Sequence, residues 1–116
     1  MKIVTWNVNS VNVRLPNILK YLKDYQPDIL CLQELKCSED KYPLEEFVSA
    51  GYHSIQVCQK TYNGVSIISK SQSIDLHNNP VVVKEGDMRS ISATFDDLRV
   101  VNFYVVNGQS IGSEKY

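Results

Sequence analysis

Two polar side chains stand where apolar segments stop. Asn7 closes the segment KIVTWNV at 2–8, and Glu34 closes DILCLQE at 28–34. If these segments are neighbouring parallel strands, both side chains emerge at one sheet edge, and ligand sites in α/β sheets favour strand carboxyl ends. A carboxylate beside an amide oxygen suits a hard cation such as Mg²⁺, which takes few protein ligands and keeps several waters. A purely structural account fits the same residues: Asn7 caps a turn, and Glu34 pairs with Lys36 as an ordinary surface ion pair. His53 and His77 read as exposed polar residues. The three cysteines, Cys31, Cys37 and Cys58, are odd in number and form no CxxC pair, so they read as reduced thiols of a cytosolic protein.

The elements that must position Asn7 and Glu34 follow from hydrophobic periodicity. Residues 2–8 are β-branched and aromatic and predict a strand. Leu15, Ile18, Leu19 and Leu22 recur at helical spacing through about Tyr25, with Pro16 expected in the first turn and Gln26-Pro27 as the stop. Residues 28–34 form the nearly continuous apolar run of a central strand. PLEEFV at 43–48 predicts a short helix closed by Gly51. Beyond it, 52–59 and 64–69 predict strands joined across Lys60-Thr61-Tyr62-Asn63, and 90–95 pairs with 98–106 across Asp96-Asp97. A helix between two strands followed by hairpins predicts the α/β class with a mixed, largely antiparallel sheet and helices on one face.

Composition sets the limits. The chain has 116 residues, a net charge of -1, 43% apolar and 22% charged residues, which suits one globular domain spanning 1–116 and argues against disorder. No run approaches the ~18 apolar residues of a membrane helix, so no membrane partner is expected. The N-terminus turns polar at Asn7, too early for a signal-peptide core, and cytoplasmic residence is the expectation. A near-neutral chain is not a generic DNA-coating module.

The motifs carry more than the pattern does. TWNVNS at 5–10, LQELK at 32–36, YNGVSIISK at 62–70 and YVVNGQSIGSEKY at 104–116 stand in the order and spacing of one family. Together they make the chain resemble, over nearly its whole length, the exonuclease III and apurinic/apyrimidinic (AP) endonuclease family of the endonuclease/exonuclease/phosphatase superfamily. That resemblance implies half of a four-layer α-β-β-α sandwich, with one sheet and its helices present and the sheet's inner face left open. It implies a DNA-repair phosphodiesterase dependent on Mg²⁺, with Mn²⁺ as a substitute, acting on double-stranded DNA at abasic or 3′-blocked sites. By the same resemblance Glu34 is the metal-binding glutamate, Asn7 organises the metal and phosphate, and the Tyr104 hydroxyl approaches the scissile phosphate. Asn9, Tyr62, Asn63, Gly64 and Asn107 fall at positions near the DNA backbone. Arg89 falls where the family often carries an arginine before a strand. Each has a plainer reading: Tyr104 as a half-buried strand aromatic, Gly64 as a turn glycine, Arg89 as a partner of Asp87.

The family also carries a GDxN motif and a terminal SDH motif. Neither occurs here: Gly86-Asp87-Met88-Arg89 reads GDMR, and neither His53 nor His77 follows Ser-Asp. The resemblance therefore implies the N-terminal part of such a domain, inactive by itself. The alternatives are a non-catalytic remnant or split-protein half serving as an interaction or complementation fragment, self-association through the open sheet face, and a lipid phosphoester substrate. LQELK, the PLEEF helix and the YVVNGQS loop favour the DNA-repair branch over the last.

Overall fold

A computed structural model describes residues 1–78 and 89–104. Strand β1 (Ile3–Asn7) leads into helix α1 (Val11–Tyr25), which returns the chain to β2 (Ile29–Gln33), parallel to β1 with Asn7 opposite Gln33. A single 3-10 turn (Glu39–Lys41) and α2 (Leu44–Ser49) follow, then β3 (His53–Val57) and β4 (Val65–Ser69). These four strands form a sheet in the order β1-β2-β4-β3, with β4 antiparallel to both neighbours. β5 (Ile74–Asn78), β6 (Ser90–Phe95) and β7 (Leu98–Phe103) form a second, antiparallel sheet.

Side-chain alternation sorts the first sheet into two faces. Leu30, Leu32 and Ile68 pack with Ile18 and Leu22 of α1 and Phe47 of α2. Trp6 meets Tyr21 of α1 edge-on, with ring centroids 6.0 Å apart. On the opposite face Ile29, Cys31, Val57, Val65 and Ile67 meet Ile91, Ala93, Phe95 and Val100 of the second sheet. The α/β class, mixed sheet and helices on one face are as expected.

The expectation of a single sheet with an open inner face is corrected. The 90–103 hairpin does not extend the first sheet but lies across it. Burying Ile91, Ala93 and Phe95, each at most 1% exposed, drives that placement. Val65 and Ile67 lie on the inner face, whereas Leu30 and Leu32 face the helices. β1 reaches beyond the cover, leaving Ile3 49% exposed, and Val101 on β7 is 54% exposed. β5 was not legible: Ile74 and Leu76 are exposed and its pairing with β6 slips register between Ile74 and His77.

Helix α1 begins earlier than its periodicity suggests, because the Ser10 hydroxyl accepts from the Val13 backbone N–H and caps it. Pro16 is therefore inside the helix rather than in its first turn, where its missing N–H leaves the Asn12 carbonyl without its helical donor. Gln26 ends the helix in the left-handed conformation, where its backbone N–H donates to Leu22 O, one residue before Pro27.

Candidate active site

Parallel pairing of β1 and β2 brings Asn7 and Glu34 to the same sheet edge. The Asn7 amide nitrogen donates to one Glu34 carboxylate oxygen at 2.8 Å. The other oxygen lies 3.5 Å from the Lys36 ammonium. The Tyr104 side chain, arriving just past β7, comes beside this carboxylate, and each group shifts the titration of the other. Asn7 Oδ1 accepts from the Asn9 backbone N–H at 3.2 Å, and Lys36 Nζ donates to the Asn9 side-chain oxygen. The structural reading of this edge holds: Asn7 Oδ1 caps a turn and Glu34 pairs with Lys36, and the same contacts gather polar groups around one carboxylate.

The local backbone is unusual. Asn9, Ser10, Glu34, Lys36 and Asn63 all have positive φ, between 47° and 94°. Such conformations disfavour side-chain-bearing residues and cluster where surrounding structure enforces them. Here the enforcing contacts are backbone hydrogen bonds: Ser10 N–H to Glu34 O at 2.8 Å, Leu35 N–H to Gly64 O at 3.1 Å, and Lys36 N–H to Asn63 O at 3.0 Å. Gly64, at φ +89°, abuts Leu35, and a Cβ there would lie 3.0 Å from Leu35 Cβ. Gly64 is thus both a turn glycine and a close-approach glycine.

Electrostatics follow from these contacts. Burial works against ionisation of Glu34, but hydrogen bonds from Asn7 and Tyr104 and the Lys36 charge outweigh it and hold its pKa below the usual carboxylate range. Tyr104 moves the opposite way. Burial, then the adjacent Glu34 charge and their hydrogen bond, raise its pKa, with Arg89 partly offsetting. The Arg89 guanidinium sits 5.8 Å from the centroid of the Tyr104 ring, and the Tyr104 N–H donates to Arg89 O at 2.7 Å. Glu34 is accordingly a carboxylate and Tyr104 a neutral donor at neutral pH.

Of the remaining positions singled out in the sequence, Asn63 is buried and donates to Gln59 at 2.9 Å, whereas Tyr62 is 65% exposed and joins no site contact among the described residues. Asn107 and Asp87 lie outside the described residues. Sequence reasoning missed three participants. Lys36 entered only as a rival explanation for Glu34. Gln33 and Asn102 meet beneath the site, where Gln33 Nε2 donates to Thr5 Oγ1 and Asn102 Oδ1, both at 2.8 Å. Asn102 Nδ2 donates to Leu32 O at 2.9 Å and Ser66 O at 2.7 Å. Their signal was a polar residue at an inward-facing position of an otherwise apolar strand.

A groove of about 460 Å³ begins at Asn7 and Tyr104 and runs between β1 and β7 over Thr5, Ile3 and Val101. A second groove, on the helix side between Leu19, Leu22 and Tyr52, is remote from Glu34.

Known proteins share both sequence and shape with this arrangement. Residues 4–109 match the profile described as the Endonuclease/Exonuclease/phosphatase family. The chain belongs to that family. Within it the likeness is to the exonuclease III and AP endonuclease branch. Exodeoxyribonuclease III of Haemophilus influenzae is 29% identical over 98% of this chain and 45% of its own length. A Neisseria 3′ phosphatase solved bound to a product DNA hairpin is 49% identical, with TM-score 0.88, over 94% of this chain and 43% of that one. An AP endonuclease from Archaeoglobus fulgidus is 38% identical, with TM-score 0.91, over 99% of this chain and 45% of that one. The chain thus spans less than half the length of these relatives.

The donor set fits a hard cation held by few protein atoms. Among the described residues no three His, Cys, Asp or Glu side chains converge, so a cation here would rest on Glu34 and keep most of its waters. Asn7 presents its nitrogen to Glu34 and engages its oxygen with Asn9. In this arrangement it orients the carboxylate, and it would reach a cation through oxygen only by releasing the Asn9 contact.

Proposed function

We propose that this chain forms one wall of the catalytic cleft of a divalent-cation-dependent DNA-repair phosphodiesterase, acting on double-stranded DNA at abasic or 3′-blocked sites. The observation that carries the reading is the Asn7–Glu34–Tyr104 cluster at the mouth of the β1–β7 groove. It combines an ionised carboxylate with a neutral phenol donor. Mg²⁺, or Mn²⁺ in its place, would bind Glu34 and supply positive charge to a phosphoryl oxygen. Tyr104 would donate to a phosphate oxygen, and Asn7 would fix the carboxylate. Asn9, Asn63 and Gly64 lie beside this edge and would meet the DNA backbone. Neutral amide and phenol donors can position phosphate without making the chain basic, consistent with its net charge of -1. Arg89 would act through Tyr104 by holding its ring. A DNA substrate and three free cysteines favour a reducing cytoplasmic setting.

A segment exchange tests the reading. The matching N-terminal segment of the Neisseria relative is replaced by this chain, and the chimera is assayed for Mg²⁺-dependent incision of abasic DNA and release of 3′ phosphate. The chimera should cut, and Glu34→Ala within it should lower the rate on the order of 10³-fold, since a cation at a phosphoryl oxygen supplies several kcal/mol. A folded chimera whose Glu34→Ala form cuts equally well at saturating Mg²⁺ would remove Glu34 from the metal role. Among the described residues one carboxylate joins the cluster, and this chain alone should not nick abasic DNA.

A further inference from the structure

The contacts around the Glu34 carboxylate close into a ring, and the proposed DNA-repair role gives one of its members, Lys36, nothing to do. Asn7 Nδ2 donates to Glu34 Oε1 at 2.8 Å, and Asn7 Oδ1 accepts from the Asn9 N–H at 3.2 Å. The Asn9 side-chain oxygen in turn accepts from Lys36 Nζ, and the same ammonium lies 3.5 Å from Glu34 Oε2. One carboxylate oxygen thus faces an amide and the other an ammonium. Within the ring the only charges are those of Glu34 and Lys36, and they cancel.

The backbone under this ring is held, whereas the ammonium is free to leave. Ser10 N–H donates to Glu34 O at 2.8 Å and Lys36 N–H to Asn63 O at 3.0 Å, which fixes the turn that carries both charges. The Lys36 side chain is 36% exposed and lines a groove of about 630 Å³ that runs past Asn12, Lys41 and Thr61. A lysine stem is flexible and ends in a compact, strongly hydrated charge. Rotation of that stem alone can carry the ammonium from the carboxylate into the groove. An exposed ammonium–carboxylate contact contributes little, so breaking it costs little.

We infer that Lys36 is a resident counter-ion of Glu34, holding the open side of the carboxylate until a divalent cation binds and then turning into the groove. The inference rests on the reading of Glu34 as the cation ligand and says how that site is kept ready. While no cation is bound, Lys36 balances the charge of Glu34 and, with Asn7, keeps the carboxylate oriented. When a cation binds, the two positive charges repel each other across one carboxylate, so Lys36 lowers the affinity of the site it holds in place. A purely structural Lys36 makes the opposite prediction. Its loss would free the carboxylate to rotate and would weaken cation binding.

The test is a Mg²⁺ titration of the whole, isotopically labelled chain, followed by NMR at the Glu34 carboxyl carbon and the lysine Cε carbons. In the unsubstituted chain the Lys36 Cε resonance should move with the same midpoint as the Glu34 carboxyl carbon. Lys36→Met keeps the stem and removes the charge, and should lower the Mg²⁺ midpoint at Glu34 by about tenfold, the size of a contact repulsion in near-aqueous surroundings. Lys36→Arg keeps the charge and should stay near the parent. Lys41→Met, in the same groove but not paired with Glu34, should change the midpoint by less than about twofold, because solvent and salt screen a charge out of contact. A Lys36→Met midpoint equal to or above that of the parent, or a Lys36 resonance that stays still while Glu34 responds, would overturn the counter-ion role and leave Glu34 as the cation ligand. A Glu34 carboxyl carbon that ignores Mg²⁺ in the parent and in Lys36→Met would overturn both. The two resonances of the unsubstituted chain decide the matter even if a variant fails to fold.

Discussion

Glu34 gathers three polar neighbours, Asn7, Lys36 and Tyr104, while keeping part of its surface open. That combination decides its protonation state, because each donor favours the charged form and burial alone would favour the neutral one. A direct consequence concerns Tyr104. Replacing it with Phe removes one donor while keeping the ring near Arg89, so the Glu34 pKa should rise towards the ordinary glutamate value of ~4.3. A carboxyl-carbon NMR titration of the isotopically labelled chain would show it, and an unchanged midpoint would mean that Tyr104 does not donate to Glu34. The sign of the linkage is fixed by the depressed pKa. Glu34 stabilises the fold above the unfolded glutamate pKa, and that contribution is lost as pH falls through its lowered folded value. In Tyr104→Phe the loss should begin at higher pH. Asn7 and Glu34 were legible because each is a polar break at the end of an apolar run. The orientation of the Asn7 amide was not, since it depends on Asn9 turning back at positive φ to meet Asn7 Oδ1.

The helix α1 and strand β7 were read from periodicity, buried and open positions alternating along them, and β2 and β4 from continuous apolar runs that are buried throughout. β5 escaped although Ile74-Asp75-Leu76-His77 alternates: the segment is short, and Ile74 and Leu76 are exposed. The boundary of α1 escaped because Ser10 caps from a residue outside the apolar pattern. Two glycines show how the connecting turns differ in what they demand. Gly51 has φ +92° with open space around a would-be Cβ, whereas Gly64 has φ +89° with Leu35 Cβ at 3.0 Å. Gly51→Ala should therefore cost only the left-handed backbone penalty of roughly 1–2 kcal/mol. Gly64→Ala should cost more, because the Leu35 side chain must also move against Leu32 and the core. Urea denaturation of both variants checks the order. Equal losses would show that Leu35 yields freely and that Gly64 is only a turn residue.

At the scale of the whole molecule, the two sheets are joined beneath the site by hydrogen bonds as well as by apolar contact. Thr5, Gln33 and Asn102 belong to β1, β2 and β7, and each lies one or two residues before a member of the cluster, namely Asn7, Glu34 and Tyr104. Asn102 is 3% exposed and donates to carbonyls of both β2 and β4 while accepting from Gln33. The sequence could not show this joint, because it depends on the second sheet lying across the first rather than extending it. Its energetics can be separated from those of packing. Asn102→Ala removes the side-chain donors to the Leu32 and Ser66 carbonyls and one of the acceptors of Gln33 Nε2, and should lower stability by roughly 2–4 kcal/mol. Asn102→Leu restores volume but not donors, so it should lose a comparable amount. In both variants the Glu34 pKa should rise, because Tyr104 loses the strand register that brings it to the carboxylate. A Leu variant as stable as the parent, with the Glu34 titration unmoved, would show that apolar contact alone aligns the sheets. A loss in both variants, together with a raised Glu34 pKa, assigns Asn102 to holding the two halves of the cluster in register.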